Sequence, residues 1–214
     1  MLDQGEEGAC TGFGLAAVVN FLLHNHAGLT KAVRDRYKKK EQGASPRMLY
    51  EMARRYDEWK GENYEGSSIR GAMKGWARHG VCTWSEWPYD AKKADRLTPE
   101  RQLAALGRPL GAYYRVRHLH LNQVQAALSE AGIVYASAQV HEGWQQVGGD
   151  GRIAYSKTLI GGHAFAVVGY DDRGFWIQNS WGPRWGAKGF CHIGYDDWLE
   201  NAYDCWVARL GVPT

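Results

Sequence analysis

The chain has no apolar run approaching the ~18 to 20 residues that a bilayer-spanning helix needs. Its first residues, Met1-Leu2-Asp3-Gln4, lack the basic-then-apolar pattern of a secretion signal. Cysteine is sparse: four residues, at 10, 82, 191 and 205, with no CxxC pair among them. That scatter offers neither a structural zinc site nor a disulfide scaffold, and a reducing cytoplasm is the expected compartment. Charge of one sign is not in excess either. A formal net charge of +3 is too small to point to nucleic acid or a membrane, so neither is expected as a partner. The densest basic run, Lys38-Lys39-Lys40, sits beside Glu41 and Gln42 and reads as a solvated loop or helix end.

What is present is ordinary globular composition with an aromatic bias. Apolar residues make up 44% and charged residues 23% of 214, which argues against disorder. Ten Trp and twelve Tyr supply large flat side chains for cores and for the walls of a cleft. Residues 11 to 26 are apolar nearly all round, as in a buried helix, and Cys10 immediately precedes them. Further helices are predicted from Ser45 with Pro46 in the first turn, from about Ser68 to Arg78 with Gly80 as the stop, and from Asn122 to Gly132. Beyond Gly132 the signal turns to strand: Ile133 to Val140, a hairpin of Ala164 to Tyr170 with Phe175 to Gln178, then Gly189 to Gly194 and Asp204 to Leu210. Helices first and strands later predict an α+β protein of two lobes, residues 1–108 and 109–214, with the boundary near Gly107 to Gly111.

A thiol at a helix N-terminus faces free N–H groups and the positive end of the helix dipole, both of which favour thiolate. On its own, a Cys beside an apolar helix is more often a small buried hydrophobe. Gln4, upstream across Gly5 and Gly8, could fold back so that its side-chain N–H joins the Cys10 N–H around an oxyanion. A thiol nucleophile needs a base, and the base an orienting group. His163 follows Gly161-Gly162 at the start of the predicted hairpin, and Asn179 closes it. One end of one hairpin therefore holds an imidazole and an amide. His118-x-His120 has metal-compatible spacing, but no third ligand stands out, and no metal or cofactor is expected.

These residues resemble the papain family of cysteine peptidases. The match runs through Gln4 to Cys10, His163, and Asn179-Ser180-Trp181-Gly182 followed by Trp185-Gly186 and Gly189-Phe190, and spans nearly the whole chain. The resemblance implies a papain-like fold, with a helical left lobe, an antiparallel β-barrel-like right lobe and an active-site cleft between them. It implies Cys10 as nucleophile, His163 as base, Asn179 as orienter, Gln4 as oxyanion donor, and Trp181 as cover over the His163–Asn179 contact. By the same resemblance Gly66, Ser67 and Ser68 pair with substrate backbone. Ile69, Ala136, Gly161 and Ala164, with Gly162 beside the base, wall the subsite for the residue two before the cut. That subsite is expected to take a bulky apolar side chain.

The sequence also departs from the family pattern. Thr11 stands where an aromatic residue is usual, Ser67 where a second glycine is expected, and Gly162 where several members carry Asp or Asn. Glu7 and Glu65 occupy positions of disulfide cysteines in secreted members, so bacterial or archaeal members are the better likeness. The expected activity is cysteine endopeptidase, working through a thioester on peptide or protein substrates. The alternatives are a catalytically silent scaffold, or a transpeptidase or amidase using the same site. Flanking domains or a separate inhibitory segment are expected to belong to the larger protein.

Overall fold

The computed structural model describes residues 1–58, 65–90 and 96–212. Up to residue 109 the described chain is helical: α1 (Cys10–His24), α2 (Lys31–Arg36), α3 (Pro46–Arg55), α4 (Ile69–His79) and α5 (Pro99–Ala105). All named strands come later: β1 (Leu110–Arg115), β2 (Val134–His141), β3 (Leu159–Tyr170), β4 (Gly174–Gln178), β5 (Phe190–Gly194) and β6 (Ala202–Leu210). Two helices, α6 (Leu121–Ala131) and α7 (Tyr195–Asn201), are interleaved with them.

Local chemistry accounts for most boundaries. Ser45 and Ser68 cap α3 and α4, their hydroxyls accepting from the N–H groups of Met48 and Gly71. Gly132 ends α6 in the left-handed conformation at φ 78°, where a side chain would be strained. Helix α6 begins at Leu121, one residue before the expected cap Asn122, and His120 occupies the cap position. His118 and His120 lie in the connection between β1 and α6.

The strands form one antiparallel sheet in the order β1-β6-β2-β3-β4-β5. Among the described residues no ladder joins β1 to β5, so the sheet is open where a barrel-like one was expected. It has no need to close, because helices cover both faces. On one face Tyr135, Ala164, Ala166, Trp206 and Ala208 join a core with α1 and α4. On the other Val134, Ala136, Ala138, Phe165, Val167 and Cys205 pack with α6, α7 and Trp144. Successive residues of a strand thus serve different cores.

Two glycines let α1 settle deep in this arrangement. A Cβ on Gly12 would stand 2.3 Å from the Pro46 carbonyl oxygen of α3, and one on Gly14 would stand 3.0 Å from the Phe165 nitrogen of β3. The helix is therefore wedged between α3 and the sheet.

Candidate active site

Cys10 is the first residue of α1, and the preceding Ala9 supplies no side-chain cap. The first-turn N–H groups are consequently left for whatever approaches the sulfur. Backbone N–H groups of Ala164, Thr11 and Cys10 itself favour the thiolate, but burial is the larger influence and pushes the thiol up. The Ala164 N–H belongs to β3, one residue beyond His163, so the helix start and the strand meet at the sulfur.

His163 lies inside β3, which starts at Leu159, four residues before the histidine. The Gly161-Gly162 pair suggested a strand start; the ladder to β2 runs through it, with Gly162 opposite Gln139 and His163 opposite Ala138. The β3–β4 hairpin pairs Ala166 with Gln178 and so delivers Asn179 to the imidazole. Nε2 of His163 donates to Asn179 Oδ1 at 2.6 Å, and both residues are buried. That bond places the ring proton on Nε2 and leaves Nδ1 as the nitrogen free to take a proton. Cys10 Sγ and the imidazole make no direct hydrogen bond here. Burial lowers His163 from the ordinary imidazole value to about 4, while the bond to Asn179 works in the opposite direction.

Three tryptophans make the surroundings dry. Trp181 lies 4.8 Å from the His163 ring, and Trp144 meets the ring edge-on at 6.1 Å. Trp185 stacks on Trp144 at 6.4 Å and donates its indole N–H to the Trp144 carbonyl at 2.9 Å. Trp144 is fully buried and supports the histidine from within the β core.

Gln4 is also buried, and its amide is held at both ends. Oε1 accepts from the Ser180 hydroxyl at 2.6 Å, and Nε2 donates to the Glu7 carbonyl at 3.0 Å. Ser180 N–H donates in turn to Asn179 Oδ1 at 2.8 Å. A continuous chain of bonds thus runs from His163 through Asn179 and Ser180 to Gln4. Sequence reasoning missed Ser180 as a participant, although it stands inside the Asn-Ser-Trp-Gly run.

The remaining expected site residues divide. Gly66 turns the chain at φ 121°, and the next residue, Ser67, reaches α1, where its hydroxyl meets Thr11 Oγ1 at 2.7 Å. Two of the departures from the family pattern, Thr11 and Ser67, therefore touch each other. Ser68 is engaged elsewhere, its hydroxyl capping α4 and its N–H donating to Asp57 Oδ1 at 2.9 Å. Ile69 and Ala164 are buried in the core beneath α1, whereas Gly161 and Gly162 are exposed with open space where a Cβ would stand. Ala136 requires a correction. Its side chain is buried in the β core, on the face away from α1. Its neighbour Ser137, half-buried and registered with Ala164 and Asp204, occupies the face toward the helices. With a period of two, a one-residue offset exchanges the faces.

Among the described residues no three His, Cys, Asp or Glu side chains are grouped to hold a metal ion. The geometry instead suits acyl transfer: a thiol at a helix start, an imidazole with a fixed tautomer, and an amide N–H held nearby.

Comparison with known proteins supports the same chemistry. A family model described as papain family cysteine protease matches residues 31–208. An uncharacterized peptidase C1-like protein of Acanthamoeba polyphaga mimivirus is 26% identical over 97% of this chain and 69% of its own length. Cysteine proteinase EP-B 1 of Hordeum vulgare is 31% identical over 60% of this chain, which spans only 36% of that protein. Among solved structures, xylellain, a cysteine protease from Xylella fastidiosa, superposes with a TM-score of 0.80 at 28% identity, covering 97% of this chain and 81% of its own.

Proposed function

The chain belongs to the papain family of cysteine proteases, and on that premise we propose that it is an endopeptidase whose nucleophile is Cys10. Cys10 Sγ attacks the scissile carbonyl as its proton passes to His163 Nδ1. The oxyanion is held by the Cys10 N–H and the Nε2–H of Gln4, and the imidazolium then protonates the leaving amine. Water, deprotonated by His163, hydrolyses the thioester and regenerates the thiol. The observation that carries this reading is the 2.6 Å bond from His163 Nε2 to buried Asn179, which commits the other ring nitrogen to proton transfer.

For the subsite two residues before the cut, Ile69, Ala164 and Ser137 supply small or aliphatic walls next to the open backbone of Gly161. Asp204, opposite Ser137, is taken up by Arg115 Nε at 2.6 Å and the Trp206 indole at 2.7 Å. An apolar side chain therefore suits the space better than a cation. We also propose a reducing compartment, in keeping with four unpaired thiols.

Labelling by an epoxysuccinyl probe, of the E64 type bound by the pineapple bromelain that shares this fold at 20% identity, tests the assignment alongside hydrolysis of a fluorogenic peptide. Both are expected in the wild type and neither in Cys10→Ala. A folded wild type that neither labels nor cleaves would make the chain a scaffold that kept the fold.

A further inference from the structure

A buried ion pair stands behind the loop that carries Gln4. Arg47, in the first turn of α3, is only 3% exposed. Its guanidinium forks onto Glu7, Nη1 to Oε1 at 2.9 Å and Nη2 to Oε2 at 2.6 Å. Nη1 also reaches Glu51 Oε1 at 3.0 Å, Nη2 the Asp90 carbonyl at 3.0 Å, and the group lies 4.7 Å from the centre of the Tyr89 ring. A two-pronged bond fixes the carboxylate in angle as well as distance. Such a buried pair adds little net stability, because desolvation offsets most of the attraction.

What the pair holds still is the backbone of Glu7. The Glu7 carbonyl accepts from Gln4 Nε2 at 3.0 Å and from Ala9 N–H at 2.7 Å. Tyr89, packed on the guanidinium, donates its hydroxyl to the Gln4 carbonyl at 2.7 Å. The loop between has Gly5 at φ 61°, a residue type that by itself leaves the backbone free to turn. A planar amide with one N–H bonded to Glu7 has its second N–H direction determined.

We propose that Glu7 and Arg47 are positioning residues for the oxyanion hole: through the Glu7 carbonyl, the pair aims the remaining Nε2–H of Gln4 at the oxygen that becomes negative beside Cys10. This rests on the reading of Gln4 as an oxyanion donor. The pair touches no reacting atom. Its effect belongs to the transition state, where a donor displaced by a fraction of an ångström loses much of its value.

The test compares the wild type with Gln4→Ala, Arg47→Met, Glu7→Gln/Arg47→Met and Gln4→Ala/Arg47→Met. Three quantities are read: kcat and KM on a fluorogenic peptide, affinity for a peptide aldehyde, and the rate of alkylation by iodoacetamide. The aldehyde forms a thiohemiacetal whose oxygen sits in the hole, whereas iodoacetamide needs only the thiolate. Arg47→Met is expected to lower kcat roughly 10- to 100-fold and weaken the aldehyde in step, with KM and alkylation changed less than about twofold. Glu7→Gln/Arg47→Met leaves no unpaired charge at Glu7, and of the other partners only the half-buried Glu51 carboxylate, which solvent reaches, loses its cation. It is therefore expected to fold even if the single variant does not, and it should keep the kcat defect. Gln4→Ala/Arg47→Met should be no worse than Gln4→Ala. Full kcat in Glu7→Gln/Arg47→Met, or losses that multiply in Gln4→Ala/Arg47→Met, would overturn the proposal. A silent Gln4→Ala would instead remove the oxyanion assignment on which it stands.

Discussion

Replacing Asn179 by Ala separates orientation of the base from proton transfer. The substitution removes the 2.6 Å acceptor of His163 Nε2–H in a site where both residues are buried. Trp181 covers the ring at 4.8 Å, which disfavours solvent as a substitute for the lost amide. In the transition state the ring is an imidazolium, and a hydrogen bond to a charged group is worth ~1.5–3 kcal/mol. At 1.36 kcal/mol per factor of ten, the expected fall in kcat is about 10- to 150-fold. His163→Ala removes the proton carrier itself and should lose up to roughly 10⁴-fold or more. The assay is kcat on a fluorogenic peptide for both variants, with circular dichroism to confirm folding. Equal losses in the two would refute the division of roles, and an unchanged Asn179→Ala would show that the tautomer is set by something other than this bond.

Three further outcomes are expected. Cys10 should be the one rapidly alkylated thiol at pH 6, because it alone is half-exposed and faced by N–H groups. Cys82 is fully buried and pushed up to about 12 by desolvation, and burial also pushes up Cys191 and Cys205; comparable modification of any of these by mass spectrometry would contradict it. The second concerns stability. His163 titrates near 4 when folded against an ordinary 6.5, so the unfolded chain takes up the proton first and stability declines as pH falls from about 6.5 to about 4. The decline should be about 3 kcal/mol steeper in wild type than in His163→Ala, measured by urea unfolding at both pH values, and identical slopes would mean that the imidazole is not protected from protonation. Finally, a peptide library should favour Leu, Val, Phe or Tyr two residues before the cut, since burying such a side chain gains roughly 1.5–3 kcal/mol; a preference for Arg would mean that Asp204, despite its bond to Arg115, forms the floor of the subsite.

The parts of the site legible in sequence were those where residue type alone restricts chemistry. A Cys before an apolar helix, a His and an Asn at one hairpin, and a run of Asn-Ser-Trp-Gly could be joined without coordinates. Helices α3 and α4 were legible for a similar reason, since Ser45, Pro46, Ser68 and Gly80 act on their own neighbours. Register was not legible. Choosing Ala136 over Ser137 for the subsite depends on which face of β2 meets α1, and both faces of that strand are covered, so no polar alternation marks the answer. Arg47 was hidden for a different reason: a basic residue in a predicted helix normally lies on its wet side, and only tertiary packing puts this one against Glu7. Closure of the sheet was overestimated because the helices that cover its second face, α6 and α7, were respectively not assigned to that face and not foreseen at all.

The dryness of the site has a consequence for how its parts must be built. Burial pushes Cys10 up and His163 down, so water exclusion opposes charge on both partners at rest. The same exclusion strengthens any dipole that faces charge when it does form. Charge in the reaction must then be met by fixed N–H and C=O groups, and these must be held by bonds that do not rely on solvent. Here the holding bonds converge on two short segments of chain. Gln4 N–H donates to the Ser180 carbonyl at 2.9 Å, Asp3 bridges to Trp181, and the Ser180 hydroxyl binds Gln4 Oε1. Asn179, on the same stretch, holds the imidazole. Asn179, which holds the imidazole, and Gln4, proposed as the oxyanion donor, are thus carried on two segments bonded directly to each other. A shift of either segment is passed to the other through Ser180, which bonds both Asn179 Oδ1 and Gln4 Oε1 and so keeps the proposed orienter and the proposed donor in register.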